Sequence, residues 1–200
     1  MLYKFIKRLI DLFGAILGLA LIAPFLPFIA FAIKLETPGP VLVKLARVSG
    51  GKVIQAYKFR SMIDGAHIMK QKLAHLNERR DGPFFKIKND PRLTKVGKLI
   101  RKFRLDEFPQ LFNVLKGELA LVGPRPHEPI EVIHYPHSHK HLMLAKAGVT
   151  GLSQVNGASS LPFLKELELD SFYVKKQNLW LDLKIIGKTI AILFFDPTAV

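Results

Sequence analysis

Leu12-Phe13-Gly14-Ala15-Ile16-Leu17-Gly18-Leu19-Ala20-Leu21-Ile22-Ala23-Pro24-Phe25-Leu26-Pro27-Phe28-Ile29-Ala30-Phe31-Ala32-Ile33 is a run of 22 residues without a charged side chain. At about 1.5 Å per residue a helix of this length matches the ~30 Å hydrocarbon core of a bilayer. Lys4, Lys7 and Arg8 precede it and Lys34 follows it. Three structures suit such a run. A cleavable leader would use Ala30-Phe31-Ala32 as its small-residue cleavage site, but the apolar stretch exceeds the ~7–15 residues of a leader and holds two prolines. A plain spanning helix would leave Asp11 at the interface. The third is a helix that enters the membrane and turns back. Pro24 and Pro27 favour it, because each removes a backbone donor and clashes with the preceding turn. Basic residues at both ends fit an exit on the side of entry. Residues 1–35 are accordingly expected to form a re-entrant membrane anchor, broken at Pro24, with residues 36–200 forming one domain beside it.

The remaining sequence must supply the charge. Thirty Lys and Arg stand against sixteen Asp and Glu, a net charge of +14, while mean hydropathy is +0.20. Apolar residues are therefore concentrated at the start, and the rest of the chain is strongly basic. That balance calls for an acidic partner: nucleic acid, an anionic lipid surface or a phosphorylated small molecule. With no cysteine, a disulfide framework, a thiolate nucleophile and a cysteine zinc site are excluded.

Past Lys34, Thr37-Pro38-Gly39-Pro40 reads as a turn. Two β-rich runs follow, Val41 to Arg47 and Val53 to Phe59, joined by the hairpin signal Ser49-Gly50-Gly51-Lys52. Residues 62–80 are polar and helix-tolerant, and Gly82-Pro83 and Asp90-Pro91 mark a loop over 81–93. Thr94 is placed to cap a helix in which Val96, Leu99, Ile100 and Phe103 share one side and Lys95, Lys98, Arg101 and Lys102 the other. Such a helix suits an anionic membrane surface, and equally a core-facing position. A second amphipathic helix is expected near the C-terminus, where Leu181, Leu183, Ile185, Ile186, Ile190, Leu193 and Phe194 alternate with Lys184 and Lys188. The fold class is α+β, mainly helical, with a small hairpin.

Two adjacent carboxylates carry the chemistry. Leu105-Asp106-Glu107-Phe108-Pro109-Gln110 follows a run from Lys86 to Arg104 that holds eight Lys or Arg and one acid, Asp90. Carboxylates in such surroundings are expected to be ionised and to lie beside whatever anion the charge attracts. Gln110 to Lys116 reads as a short helix ended by Gly117, with Asp106 near its N-cap. An ordinary capping role accounts for an Asp there as well as a chemical one does. Val122-Gly123-Pro124-Arg125-Pro126 adds a stiff turn around one guanidinium, whose planar fork suits phosphate oxygens. Lys58-Phe59-Arg60-Ser61-Met62 adds two more cations.

In this order, the Lys58–Met62 run, Asp90-Pro91-Arg92-Leu93-Thr94, Leu105 to Gln110 with Asn113-Val114-Leu115, Val122 to Pro126, Gly148-Val149-Thr150-Gly151 and Gln154-Val155-Asn156-Gly157 resemble the successive signatures of bacterial sugar transferases. The resemblance is to the small monotopic phosphoglycosyl transferases that begin lipid-linked glycan assembly, and it extends from Lys7-Arg8 and Asp11 to the Asp170–Tyr173 element. It implies transfer of a sugar 1-phosphate from a UDP-sugar to a polyprenyl (undecaprenyl) phosphate, with release of UMP, at the cytoplasmic face of the bacterial inner membrane. Asp106 matches the nucleophile that forms an aspartyl-phosphosugar intermediate, Glu107 completes the pair, and Mg²⁺ is expected near Asp106. Lys58, Arg60, Arg92, Arg101, Gln110 and Arg125 fall where phosphate ligands are expected, and Thr150, Gln154 and Asn156 where the nucleotide or sugar is held. The chain departs from the pattern at Ala23, where serine normally precedes the membrane-breaking proline, at Ala147 in place of proline, and at Ala158 in place of arginine.

His134, His137, His139 and His141 invite a metal reading, the last three sharing a face if the segment is a strand. No acid or cysteine accompanies them, and a solvated loop is expected. The competing class of function is a non-catalytic basic scaffold on the membrane that recruits acidic partners. Nucleic-acid binding is not expected, since the basic run lacks interleaved stacking aromatics.

Overall fold

The computed structural model describes residues 2–157 and 160–195; Ala158, one of the departures noted above, lies outside them. Among the described residues the chain is mainly helical, with two two-stranded sheets and one long apolar helical segment at the N-terminus. Helix α1 (Leu2–Ile22) passes through a 3-10 turn (Ala23–Phe25) into helix α2 (Leu26–Glu36). Pro24 lies in that turn and Pro27 in the first turn of α2, and the backbone stays right-handed helical through the junction at Ile22, Phe25 and Leu26.

One face of this segment packs on the rest of the protein. Ala15 and Leu19 join Leu111, Val114 and Leu119, while Leu26, Ile29 and Ile33 join Phe59 and Ile100. The other face carries Phe5, Leu9, Phe13, Ile16, Leu21, Phe25, Phe28, Phe31 and Leu35, each at least half exposed. Taking one Leu, Ile or Phe side chain out of water is worth roughly 1.5–3 kcal/mol. Nine of them in one stripe are a surface for something other than water.

Both ends of the segment are tied to the same body. Near the start, Tyr3 and Lys7 each donate to Asp182 Oδ2 at 3.0 Å, and Leu121 N–H donates to Asp11 at 2.9 Å. At the finish, Glu36 accepts the N–H groups of Lys95 and Val96 at 2.5 and 2.8 Å. Arg60 donates to the carbonyls of Pro38, Thr37 and Ile33.

Strands β1 (Leu42–Ser49) and β2 (Lys52–Phe59) form the expected hairpin in register from Leu42 opposite Phe59 to Ser49 opposite Lys52. Gly50 and Gly51 have φ of 58° and 74°, the pair of left-handed residues that a two-residue turn of this hand requires. The polar stretch 62–80 forms only the single turn α3 (Met69–Lys72) and a 3-10 turn at Ala74–Leu76. Helix α4 (Lys95–Lys102) begins where Thr94 Oγ1 accepts the Gly97 N–H at 2.8 Å. Its apolar residues divide: Ile100 is buried and Val96 packs beside it, while Leu99 and Phe103 face outward.

Helix α5 (Gln110–Leu115) ends at Gly117, which has φ of 79°. Strand β3 (Ala120–Val122), then helix α6 (Pro129–Val132), lead to strand β4 (Gly148–Thr150), which pairs parallel to β3. Strands of three residues are too short to show alternation, and this sheet is not foreseen from the sequence. The histidine-rich segment is a 3-10 helix (His137–Leu144), not a strand; His141 turns inward, with Nε2 3.0 Å from Ser171 Oγ. Helices α7 (Phe163–Lys176) and α8 (Leu179–Phe195) close the fold around Val122, Val155, Tyr173 and Ile185, leaving Trp180, Leu183 and Ile190 exposed on α8.

Candidate active site

Asp106 and Glu107 belong to a 3-10 turn, Leu105–Glu107, wedged between α4 and α5. Pro109, not Asp106, occupies the N-cap of α5, and no side chain caps that helix. The capping account of Asp106 is thereby removed. Its carboxyl is buried, with the side chain 8% exposed, and has another reason to be there. In a 3-10 turn neighbouring side chains diverge by about 120°, yet one ammonium serves both acids: Lys58 Nζ lies 2.5 Å from Glu107 and 3.6 Å from Asp106.

The elements around the pair are fixed by long-range bonds. Asn113, fully buried on α5, accepts the Tyr57 N–H at 3.0 Å and donates to Gln55 O at 2.8 Å, which sets α5 against the strand bearing Lys58. Arg8 donates to the carbonyls of Val114 and Leu115 at 2.7 and 2.9 Å, a cation at the C-terminal end of α5 that satisfies carbonyls the helix leaves free. The N-terminal helix α1 is thus a strut for the site. Arg101 is braced by Ser61 Oγ at 2.9 Å. Gly97 allows α4 to approach this strand end, since a Cβ there would sit 1.9 Å from Ser61 O.

Arg125 arrives from the other side. The Val122–Pro126 turn is stitched to β4 through Gly123 N–H to Thr150 O at 2.9 Å and Gly148 N–H to Pro124 O at 2.8 Å. Contact this close requires glycine: a Cβ on Gly148 would lie 2.1 Å from Gly123 N. Behind the turn, Asp170 accepts the Arg125 N–H at 2.9 Å, and Glu166 lies 3.7 Å from Arg125 Nε. Glu166 also meets His127 Nε2 at 3.2 Å and Arg79 at 3.8 Å.

Electrostatics separate the two acids. Burial raises the Asp106 carboxyl above its usual range, and the neighbouring Glu107 charge adds to this, outweighing Lys58 and Arg101. Burial acts against Glu107 too, but Lys58, Arg125 and Arg104 overcome it and hold Glu107 down at about 2. The basic surroundings lower the Glu107 carboxyl as expected, whereas at Asp106 they do not offset burial. An acid pair with opposed shifts is a mark of differentiated chemical roles.

Of the residues singled out from the sequence, Lys58, Arg101 and Arg125 are brought to the pair, and Gln110 is buried at the first position of α5. Arg60 and Arg92 are instead used inside the protein. Arg60 closes the end of α2 on three carbonyls, and Arg92 grips Asp90 at 2.6 and 2.9 Å and Ala66 O at 3.2 Å, both guanidinium groups being buried. Thr150, Gln154 and Asn156 lie on and after β4: Thr150 bonds Thr189 at 2.7 Å, Gln154 donates to Val149 O at 2.9 Å, and Asn156 accepts Lys188 Nζ at 2.8 Å. Arg104 was not singled out, although it stands in the basic run and its charge reaches Glu107.

The chain as a whole has relatives among curated proteins. The model of the bacterial sugar transferase family matches residues 2–196. The chain is 39% identical over 194 residues to the undecaprenyl-phosphate galactose phosphotransferase of Salmonella typhimurium strain LT2, covering 95% of this chain and 40% of that protein. It is 37% identical over 207 residues to the UDP-glucose:undecaprenyl-phosphate glucose-1-phosphate transferase of Escherichia coli K12, covering 98% and 42%. A UDP-N-acetylgalactosamine-undecaprenyl-phosphate N-acetylgalactosaminephosphotransferase of Aeromonas hydrophila is 37% identical over 198 residues, covering 94% and 44%. The chain spans about two fifths of the length of these curated relatives. With the family's model matched along nearly all of its residues, the chain belongs to the bacterial sugar transferase family.

Proposed function

We propose that this chain transfers a sugar 1-phosphate from a UDP-sugar to a polyprenyl phosphate in the membrane, undecaprenyl phosphate being the acceptor its relatives are named for, and releases UMP. The observation that carries the reading is the buried carboxyl of Asp106, beside an ionised Glu107 and faced by Lys58, Arg101 and Arg125. An oxygen of Asp106 attacks the sugar-bearing phosphorus of the donor. A new P–O bond forms as the phosphoanhydride bond breaks, and UMP leaves with the electron pair. An oxygen of the polyprenyl phosphate then attacks the same phosphorus and the Asp106 carboxylate departs. Splitting one displacement into two through a carboxylate is established nucleophilic chemistry, and fixed cations stabilise charge on the transferring group.

Among the described residues no group of three His, Cys, Asp or Glu side chains is placed to hold a metal alone. Mg²⁺ commonly uses one or two carboxylates and completes its octahedron with substrate phosphates and water. Asp106, whose one cationic neighbour within ion-pair distance among the described residues is Lys58 at 3.6 Å, fits that use, with Glu107 beside it. Bound there, Mg²⁺ would neutralise charge on the donor diphosphate.

The same reading places the site at the cytoplasmic face of the bacterial inner membrane, with residues 1–35 re-entrant and residues 36–200 catalytic at the interface. Support comes from the exposed apolar stripe of α1 and α2 and from both ends of that segment bonding one body through Asp182 and Glu36. The outward Leu99, Phe103, Trp180 and Leu183 suit α4 and α8 to the interface, and the lysines of α4 suit anionic lipids. Tags at Met1 and Val200 are then both expected to be protected from a membrane-impermeant label in intact cells and reactive after lysis. Labelling of Met1 alone in intact cells would establish a spanning helix.

The direct test incubates the purified chain with Mg²⁺, polyprenyl phosphate and each of a panel of UDP-sugars. One donor is expected to release UMP in a lipid-dependent manner. Relatives of nearly equal identity are named for galactose, glucose and N-acetylgalactosamine, so the panel and not overall identity reads the sugar. Absence of UMP with every donor would defeat the proposal.

A further inference from the structure

We infer that Arg104 is a phosphate-binding residue of this site, a deepening that rests on the transfer reading above. Its backbone is left-handed, with φ 53° and ψ 21°, a conformation that costs a non-glycine residue on the order of 1–3 kcal/mol and collects at ligand clamps. Its Nε is shielded from solvent with no hydrogen-bond partner among the described residues. A buried donor left unmatched is a second cost. Two costs fall on one residue, directly before the turn that carries Asp106 and Glu107.

Its neighbours show what is missing. Arg101 is held by Ser61 Oγ and Arg125 by Glu166. Arg92 is held by Asp90, and the terminal nitrogens of Arg60 take backbone carbonyls although its Nε, too, is buried without a partner among the described residues. Arg104 has none of these ties among the described residues, although a guanidinium carries five donors in a fixed fork suited to two phosphate oxygens. Its charge acts on Glu107, together with Lys58 and Arg125. The left-handed backbone ends α4 abruptly and directs the next residues into the 3-10 turn.

The ligand is a phosphate oxygen of a substrate, from either the donor diphosphate or the acceptor lipid phosphate. Arg104→Asn and Arg104→Gly remove the fork and put in residues that tolerate a left-handed backbone; Arg104→Lys keeps a charge at the same conformational cost. KM for the UDP-sugar and KM for the polyprenyl phosphate are measured in turn, with the thermal midpoint, on the full chain in detergent. Asn and Gly are expected to raise one KM roughly ten- to hundredfold, the effect of one charged hydrogen bond, with the midpoint unchanged or higher. Lys is expected to recover part of the loss. A rise in the donor KM assigns the nucleotide phosphates, and a rise in the acceptor KM the lipid phosphate. Unchanged KM values in Asn and Gly overturn the assignment. So does equal loss in all three variants with a lowered midpoint, which would mark Arg104 as a part of the turn alone. Wild-type turnover beside unaffected variants removes Arg104 only, whereas a wild type that releases no UMP removes the transfer reading with it.

Discussion

Asp106→Asn is expected to lower UMP release on the order of 10⁴-fold or more, the scale of losing a covalent nucleophile, and at the same time to stabilise the protein. The substitution keeps shape and removes the attacking charge. Burial opposes that charge in the folded protein and Glu107 opposes it further, so the folded-state carboxyl titrates above the ordinary Asp value of 3.8. The folded state therefore holds this proton more tightly than the unfolded chain. Stability is lost as pH rises from 3.8 through the folded value, and above it the full penalty remains. Asparagine carries no such penalty. The variant is expected to melt above wild type at pH 7, with the gap closing toward pH 3.8. Activity of the wild type follows the opposite course, falling as pH drops through the raised Asp106 value, while Glu107, held at about 2, stays ionised throughout. Measured UMP release in the variant at even a hundredth of the wild-type rate would exclude Asp106 as nucleophile, and a lower melting point at neutral pH would contradict the electrostatics.

The parts legible in the sequence are those that local chemistry determines. Two glycines between β-rich runs gave the hairpin, Thr94 gave the start of α4, Gly117 the end of α5, and the uncharged run the long apolar helix. The dyad stood out because two acids follow a basic run. What sequence left unresolved depends on distant partners. Arg60 and Arg92 look like ligands in any list of cations, and only the carbonyls of Ile33, Thr37 and Pro38 and the carboxylate of Asp90 reveal them as internal ties. Arg104 hid for the converse reason: its signal is the lack of a partner together with a left-handed backbone, and neither is written in residue type. The opposite shifts of Asp106 and Glu107 follow from how closely each meets Lys58, at 3.6 and 2.5 Å, and from the arginine charge that acts on Glu107, a distinction that adjacency in sequence erases.

Glu166→Ala is expected to be the most destabilising single change near the site, although it is far from the carboxylate pair in sequence. Glu166 is 1% exposed and collects Arg125, His127 and Arg79 within 4 Å. Burial raises its carboxyl, but the His127 hydrogen bond and the two arginines overcome that and lower it below the ordinary 4.5. Removing one member of a buried charge cluster leaves the others unmatched, at a cost of about 3–5 kcal/mol, or a melting point lower by roughly 6–20 °C. Because its folded-state value is depressed, the stabilisation is present above 4.5 and lost as pH falls through the folded value, so the variant and wild type converge in acid. Arg125, released from Glu166 while its backbone stays on Asp170, loses its fixed aim at Glu107, and KM for the UDP-sugar is expected to rise. Glu168→Ala supplies the contrast on the same helix, since among the described residues Glu168 pairs only with Lys165 at the surface, where such pairs contribute about 0–1 kcal/mol. Equal melting points for the two variants would show that the cluster behind Arg125 is not what holds this turn in place.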